Sequence, residues 1–230
     1  MGLAEQKYVN EAFETNWIAP LGPHVNTFEY LLQKETNVSY AAALSSGTSA
    51  LHLALILIGV KAGDIVFCQS MTFSASANPI AYQGAIPVFI DSESDTWNMD
   101  PELLRLALVE ANQKGMLPKA IIPVHLYGMP AKMYEIIQIA NEFNIPVIED
   151  AAEALGSNIL DMPCGSFGDF GVLSFNGNKI ITTSGGGALV SNNEDMIQRA
   201  RYLSTQARDP APHYQHSVIG YNYRMSNVLA

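Results

Sequence analysis

The chain has 230 residues, 48% of them apolar, and a formal net charge of −10. That length suits one large domain or two small ones with a sizeable core, and the acidic balance argues against a nucleic-acid-binding surface, which needs clustered Lys and Arg. The longest apolar run, "ALHLALILIGV", is too short to span a bilayer and carries His52.

In chain order, the opening "MGLAEQKYV" is polar, so no signal peptide is expected. Gly2 is followed at position 6 by Gln6, where a myristoylation site has Ser or Thr. Two amphipathic helices are predicted, over "AEQKYVNEAFETN" and "VNTFEYLLQKET", making residues 1–36 a helical segment. Short strands rich in Val, Ile and Phe then alternate with helical patterns. "YAAAL" precedes "SGTSALHLALILIG", "DIVFCQ" precedes "SASANPIAYQGA", and "IPVFID" precedes "PELLRLALVEANQKG". "AIIPVHL" precedes "PAKMYEIIQIANEFN", which runs into "IPVIED". Such alternation implies an α/β fold, a mostly parallel sheet with helices on both faces. After Asp150 the pattern changes. "FGVLSF" and "GGALVS" follow each other with no helix between, so at least one of them is expected to run antiparallel. "NEDMIQRARYLST" is a further helix, and Arg224 and Asn227 are expected at the start of another. Cys68 and Cys164 are the only cysteines and lack metal-ligand spacing. Cys68 reads as a buried thiol, and a reduced, cytoplasmic protein without a metal is expected.

In sheets of this kind ligands gather at the carboxyl ends of the strands, and four chemically marked stretches fall there. In "SSGTSALH" a strand gives way to a helix start, where free N–H groups and the helix dipole suit a phosphate. Ser46, Thr48 and Ser49 add hydroxyls, and simple N-capping is the competing reading. The Walker lysine is missing. In "VIEDAAEALGS", Glu149 and Asp150 end an apolar strand, as base, metal ligand or helix cap. In "QSMTFSASAN", Phe73 follows a strand end, either stacking on a flat ring or joining the core. In "SFNGNKIITTSGGG", Lys179 stands among small residues ahead of Gly185–Gly187. Arg199, Arg201, Arg208 and Arg224 fall late, for helix solvation or for anion binding. Phosphate site, aromatic face, carboxylate and uncrowded amine together are the parts that hold pyridoxal phosphate. On this reading the glycines allow a close backbone approach beside the amine.

"SSGTSALHLAL", "TFSASANPI", "GAIPVFIDSESDTWNMDP", "PVHLYGMPAKM", "VIEDAAEALGS", "GDFGVLSFNGNKIITTSGGGALV" and "GYNYRMSNVLA" follow one another as in the DegT/DnrJ/EryC1/StrS family, which the chain resembles from about Glu5 to its last residue. The resemblance implies a fold type I, pyridoxal 5′-phosphate-dependent sugar aminotransferase, with residues 37–230 as the cofactor-binding large domain. "TNWIAPLGPHV" is similar to the subgroup that aminates UDP-linked 4-keto-6-deoxy sugars, for surface polysaccharide or glycan synthesis, with glutamate as donor. By the same resemblance Lys179 is the Schiff-base lysine, Asp150 the partner of the pyridine nitrogen and Phe73 the stacking aromatic. Gly47, Thr48 and Ser174 hold the phosphate, and Glu153 lies near the ring hydroxyl. Asn222 reaches the phosphate of a neighbouring subunit, which implies a homodimer with a shared site. His125 is either near the cofactor or a satisfied strand-end histidine.

Relatives with His at the lysine position are dehydratases, so Lys179 favours transamination. The family continues past "YNYRMS" into a smaller C-terminal domain, which this chain, stopping at Ala230, is expected to lack; its N-terminus is also expected to be short. Two rivals stay open. One is another fold type I enzyme such as a desulfurase, for which no cysteine motif is found. The other is a truncated, non-catalytic protein on the same fold.

Overall fold

Apolar residues on both faces of the strands let helices close on both sides of the sheet. The computed structural model describes residue 2 and residues 4–230; residues 1 and 3 of the expected 1–36 segment lie outside the described residues. Helices α1 (Ala4–Glu14) and α2 (Pro23–Thr36) lead into β1 (Tyr40–Leu44) and α3 (Gly47–Ile58). β2 (Ile65–Gln69), α4 (Asn78–Tyr82), β3 (Ile86–Ile90), α5 (Pro101–Gln113), β4 (Ala120–Ile122), α6 (Met133–Phe143) and β5 (Ile148–Asp150) continue the alternation. A small hairpin of β6 (Asn158–Ile159) and β7 (Met162–Pro163) precedes β8 (Phe170–Ser174), β9 (Gly187–Ser191) and α7 (Glu194–Ser204).

β2 pairs in parallel with β3 and β4, and β5 pairs in parallel with β8. Parallel bridges Ile121–Val147 and Val124–Asp150 join β4 to β5. β9 lies between β8 and β1, antiparallel to both. The result is one sheet in the order β3-β2-β4-β5-β8-β9-β1, with β9 the reversed strand. This agrees with the α/β expectation and identifies which strand of the "FGVLSF…GGALVS" pair is antiparallel.

Strand periodicity sorts the core. Ala42 and Leu44 of β1, Phe170 and Val172 of β8, and Leu189 of β9 pack toward α3 and α7. Their neighbours Ala41, Ala43, Leu173, Ala188 and Val190 pack on the other face with Val25 and Leu32 of α2. Phe67 of β2 and Ile121 of β4 pack with Leu104 and Leu108 of α5 and Ile136 and Ile139 of α6. α3 is buried on most of its surface, as its nearly unbroken apolar sequence requires.

Two expectations change. "SASANPIAYQGA" forms only a 3-10 turn over Ser74–Ser76 and the short α4, which has Pro79 in its first turn and Gly84, at φ +68, just beyond it. The expected helix start is seen at Asn227 but not at Arg224: residues 227–229 form a turn in which the Ala230 N–H donates to the Ser226 carbonyl at 3.2 Å, as in an α-helix. Arg224 is held as an extended bridge beside Leu44, with its guanidinium on Glu29 and on the Ala43 carbonyl. The Asn227 Oδ1 accepts from the His24 N–H at 2.9 Å, closing the start of α2 from the far end of the chain.

Candidate active site

The carboxyl ends of β1, β2, β4, β5 and β8 converge on a cavity of about 310 Å³, as strand direction predicts. Gly47, Thr48, Phe73, His125, Asp150, Glu153, Ser174 and Lys179 all line it. Asn222 does not: it is exposed on the segment after α7, bridged to Thr205, away from this chain's own cavity.

One wall is the start of α3. The Ser46 Oγ caps the helix by accepting the Ser49 N–H at 3.0 Å, and the Ser46 carbonyl takes the Ala50 N–H. Gly47 and Thr48 are the first two helical residues, whose N–H groups helix geometry leaves without an internal acceptor. Capping by Ser46 therefore does not use up the N–H groups that an anion would need. The turn is wedged between two strands, and this explains Gly187 among the glycines after Lys179. A Cβ on Gly187 would lie 2.2 Å from the Ser46 carbonyl carbon, and one on Gly47 would lie 3.1 Å from the Ser174 Cβ. The close approach made by Gly187 is thus to the phosphate-type turn and not to Lys179 itself.

The floor is acidic. Asp150 is buried; its Oδ2 accepts from the Ser76 hydroxyl at 2.6 Å and its Oδ1 from the Ala152 N–H at 3.2 Å. Desolvation raises its carboxyl above the ordinary aspartate value, against those hydrogen bonds and the charge of Lys179. A buried carboxylate bordering a cavity in this way favours a positively charged N–H partner. Its neighbour Glu149 faces away. Glu149 accepts the Gly165 N–H at 2.8 Å and the Phe167 and Gly168 N–H groups, and so anchors the turn before β8 rather than acting as a base or metal ligand.

His125 is fully buried. Its Nδ1 accepts the Ala131 N–H at 3.0 Å, so Nε2 carries the hydrogen and donates to the Glu149 Oε2 at 3.1 Å. It both borders the cavity and is a satisfied strand-end histidine, with no nitrogen left for a ligand. Lys179 lies on the β8–β9 loop. Its Nζ is 2.9 Å from the Glu153 Oε1, and the Glu153 Oε2 accepts the Tyr127 N–H at 3.0 Å. Phe73 stands over the opening with its ring 75% exposed, free of the core.

Several residues that matter escaped the sequence reading. Ser76 holds Asp150, and Asn176 and Asn178 line the cavity beside Lys179. The spacing of Thr72 and Ser76, joined by a hydroxyl–hydroxyl bond of 2.6 Å, was the available signal. None of the late arginines lines the cavity, and only Arg199 and Arg208 are exposed as plain solvation expects. Arg201 and Arg224 bind Glu29, while Arg199 and Arg208 stack on Tyr202 and Tyr214. No residue of "TNWIAPLGPHV" lines the cavity; the Trp17 carbonyl accepts from Asn227 instead. Burial pushes the thiols of Cys68 and Cys164 up to about 12, which leaves neither as a nucleophile. Among the described residues there is no cluster of metal-ligating side chains, and no helix is long and apolar enough to cross a membrane.

The sequence pattern of the DegT/DnrJ/EryC1/StrS aminotransferase family matches residues 1–230. EpsN of Bacillus subtilis, whose provisional name is pyridoxal phosphate-dependent aminotransferase, is 62% identical over 98% of this chain and 58% of its own length. A GDP-perosamine synthase of Escherichia coli is 41% identical over 98% of this chain and 60% of its own. A solved sugar aminotransferase of provisional title from Streptococcus pneumoniae, in its PLP form, superposes with a TM-score of 0.90 at 30% identity. That match covers 100% of this chain and 62% of the other. The chain thus spans about three fifths of the length of these relatives.

Proposed function

The chain belongs to the DegT/DnrJ/EryC1/StrS aminotransferase family, and from that premise we propose that it is the cofactor-binding part of a pyridoxal 5′-phosphate-dependent sugar aminotransferase. The observation that carries the reading is one cavity holding a helix N-terminus, a buried carboxylate and a largely shielded lysine. Those groups fit the cofactor. The Gly47 and Thr48 N–H groups and the Ser174 hydroxyl would take its phosphate. Phe73 would stack on the ring, Glu153 would meet the ring hydroxyl, and Lys179 would hold the aldehyde carbon covalently. Asp150 would give its proton to the ring nitrogen and, ionised, hold that N–H in place. When bound, the cofactor supplies an electron sink that makes a neighbouring C–H acidic. The Lys179 amine would act as the base that takes a proton from the donor's Cα and redelivers it. Glu153, within hydrogen-bond reach, steadies the amine while it is charged.

Residues 37–230 form the cofactor-binding unit on this reading, preceded by the helical segment 1–36. Asn222 would complete the site of a second copy, so the enzyme works as a homodimer in the cytoplasm. The donor is glutamate and the acceptor a nucleotide-linked 4-keto-6-deoxy hexose, for surface polysaccharide or glycan synthesis. "TNWIAPLGPHV" favours UDP as the nucleotide; the 41% identity to a GDP-perosamine synthase favours GDP. The test has two stages. Chain mixed with the cofactor should gain visible absorbance that borohydride fixes to Lys179. With glutamate, a panel of UDP-, GDP- and dTDP-linked keto sugars beside small keto acids and aldehydes should then show a preference for one nucleotide sugar. Fixation to another lysine, or preference for a small keto acid, contradicts the proposal.

A further inference from the structure

A second recess, of about 190 Å³, opens on the other side of the Lys179–Glu153 pair and is lined by Tyr127, Glu153, Asn178, Lys179 and Ile180. Its wall is a conformational outlier. Tyr127 has φ 52 and ψ 26, a left-handed backbone that a bulky residue rarely adopts. The turn is pinned on every side. The Leu126 N–H donates to the Asn98 Oδ1 at 2.9 Å, the Tyr127 N–H to Glu153, and the Gly128 N–H to the His125 carbonyl at 3.0 Å. The Ser157 hydroxyl donates to the Gly128 carbonyl at 2.8 Å. Packing does not explain the residue, because the side chain is 83% exposed. A rigid, strained turn therefore carries a phenol ring into solvent beside the one lysine in the cavity, and strain of this kind gathers at functional positions.

The recess has two characters. Tyr127 and Ile180, itself exposed, are apolar; Asn178 and Glu153 offer hydrogen bonds. A deoxyhexose is built the same way, with a face of C–H bonds and a methyl on one side and hydroxyls on the other. The space equals that of about six waters in the liquid, room for one sugar ring. We infer that Tyr127 is a specificity-determining residue on which the acceptor's sugar ring rests, with Ile180 beside its methyl group and Asn178 toward its hydroxyls. This deepens the proposed function and rests on it.

The test uses cofactor-loaded, borohydride-reduced chain and calorimetry. The probes are UDP- and GDP-linked 4-amino-4,6-dideoxyhexose, with UDP and GDP alone as references. For whichever amino sugar the wild type binds, Tyr127→Phe should stay within about twofold, and Tyr127→Ala should weaken binding about tenfold. Binding of the bare nucleotide and the cofactor absorbance should be the same in all three. Equal amino-sugar affinity in Tyr127→Ala, or an equal loss for the bare nucleotide, overturns the inference while leaving the aminotransferase reading in place. A wild-type chain that binds neither amino sugar removes the sugar-acceptor reading and this inference together.

Discussion

Two side chains set the character of the cavity, and each makes a measurable claim. Lys179→Ala should still bind the cofactor weakly but develop no visible-absorbing adduct, and borohydride should label no other lysine. Asp150 is costly to the empty protein. Desolvation raises its carboxyl, so the folded state keeps a proton that the unfolded chain has already released. Stability therefore falls as the pH rises from about 4, where a free aspartate titrates, toward the raised value. Asp150→Asn keeps the shape, and its amide can exchange hydrogen bonds with Ser76. The cofactor-free variant should therefore melt higher than wild type at pH 7, with the gap closing as the pH falls to about 4, while its affinity for the cofactor drops. A lower melting temperature at pH 7 would show that the native carboxylate is better solvated than its burial indicates. Function kept at the expense of stability is the general pattern for such groups.

At the scale of elements, the sequence was legible wherever local pattern decides. The helical and strand periods from "YAAAL" to "NEDMIQRARYLST" correspond to α3, α5, α6, α7 and the strands between them, because each element buries one continuous apolar face. What sequence could not show were long-range contacts. Nothing near Gly187 announces that its backbone rests on the Ser46–Gly47 turn, and nothing near Asn227 announces that it closes α2. Equally, Glu149 and Asp150 are adjacent in sequence, yet strand alternation sends one to the turn before β8 and the other to the cavity. The contact at Gly187 gives a paired prediction. Gly187→Ala forces β9 and the start of α3 apart and should cost about 1–3 kcal/mol by overpacking, with a matching loss of affinity for inorganic phosphate. Gly185→Ala, whose Cβ would meet nothing within 4 Å, should change neither. Urea unfolding and calorimetry on both variants decide it, and equal behaviour of the two would remove the wedge from the account of the site.

The molecule as a whole is closed by a buried cluster far from the chemistry. Glu29 of α2 accepts the Ala43 N–H of β1 at 2.8 Å, the Arg201 guanidinium of α7 at 2.8 Å and the Arg224 guanidinium of the chain's end. Arg201 and Arg224 also donate to the Ala41 and Ala43 carbonyls, at 2.7 and 2.8 Å. One carboxylate thus joins four segments between residues 29 and 224, over the strand that leads into the phosphate-type turn. Its two partners bring one more positive charge than it neutralises, and the Nε atoms of both arginines have no partner. Removing the carboxylate's charge leaves two guanidinium groups facing each other in a largely dry site, the case in which breaking a buried pair is severe. Glu29→Gln should therefore cost about 3 kcal/mol, or roughly 6–12 °C in melting temperature for a chain of this size. The comparison is Glu142→Gln, which breaks the exposed pair with Arg105 and should cost no more than about 1 kcal/mol, less still at high salt. If the two variants melt together, the cluster is solvated enough to be dispensable, and the segment around Arg224 is held by its backbone bonds and the Asn227 side chain instead.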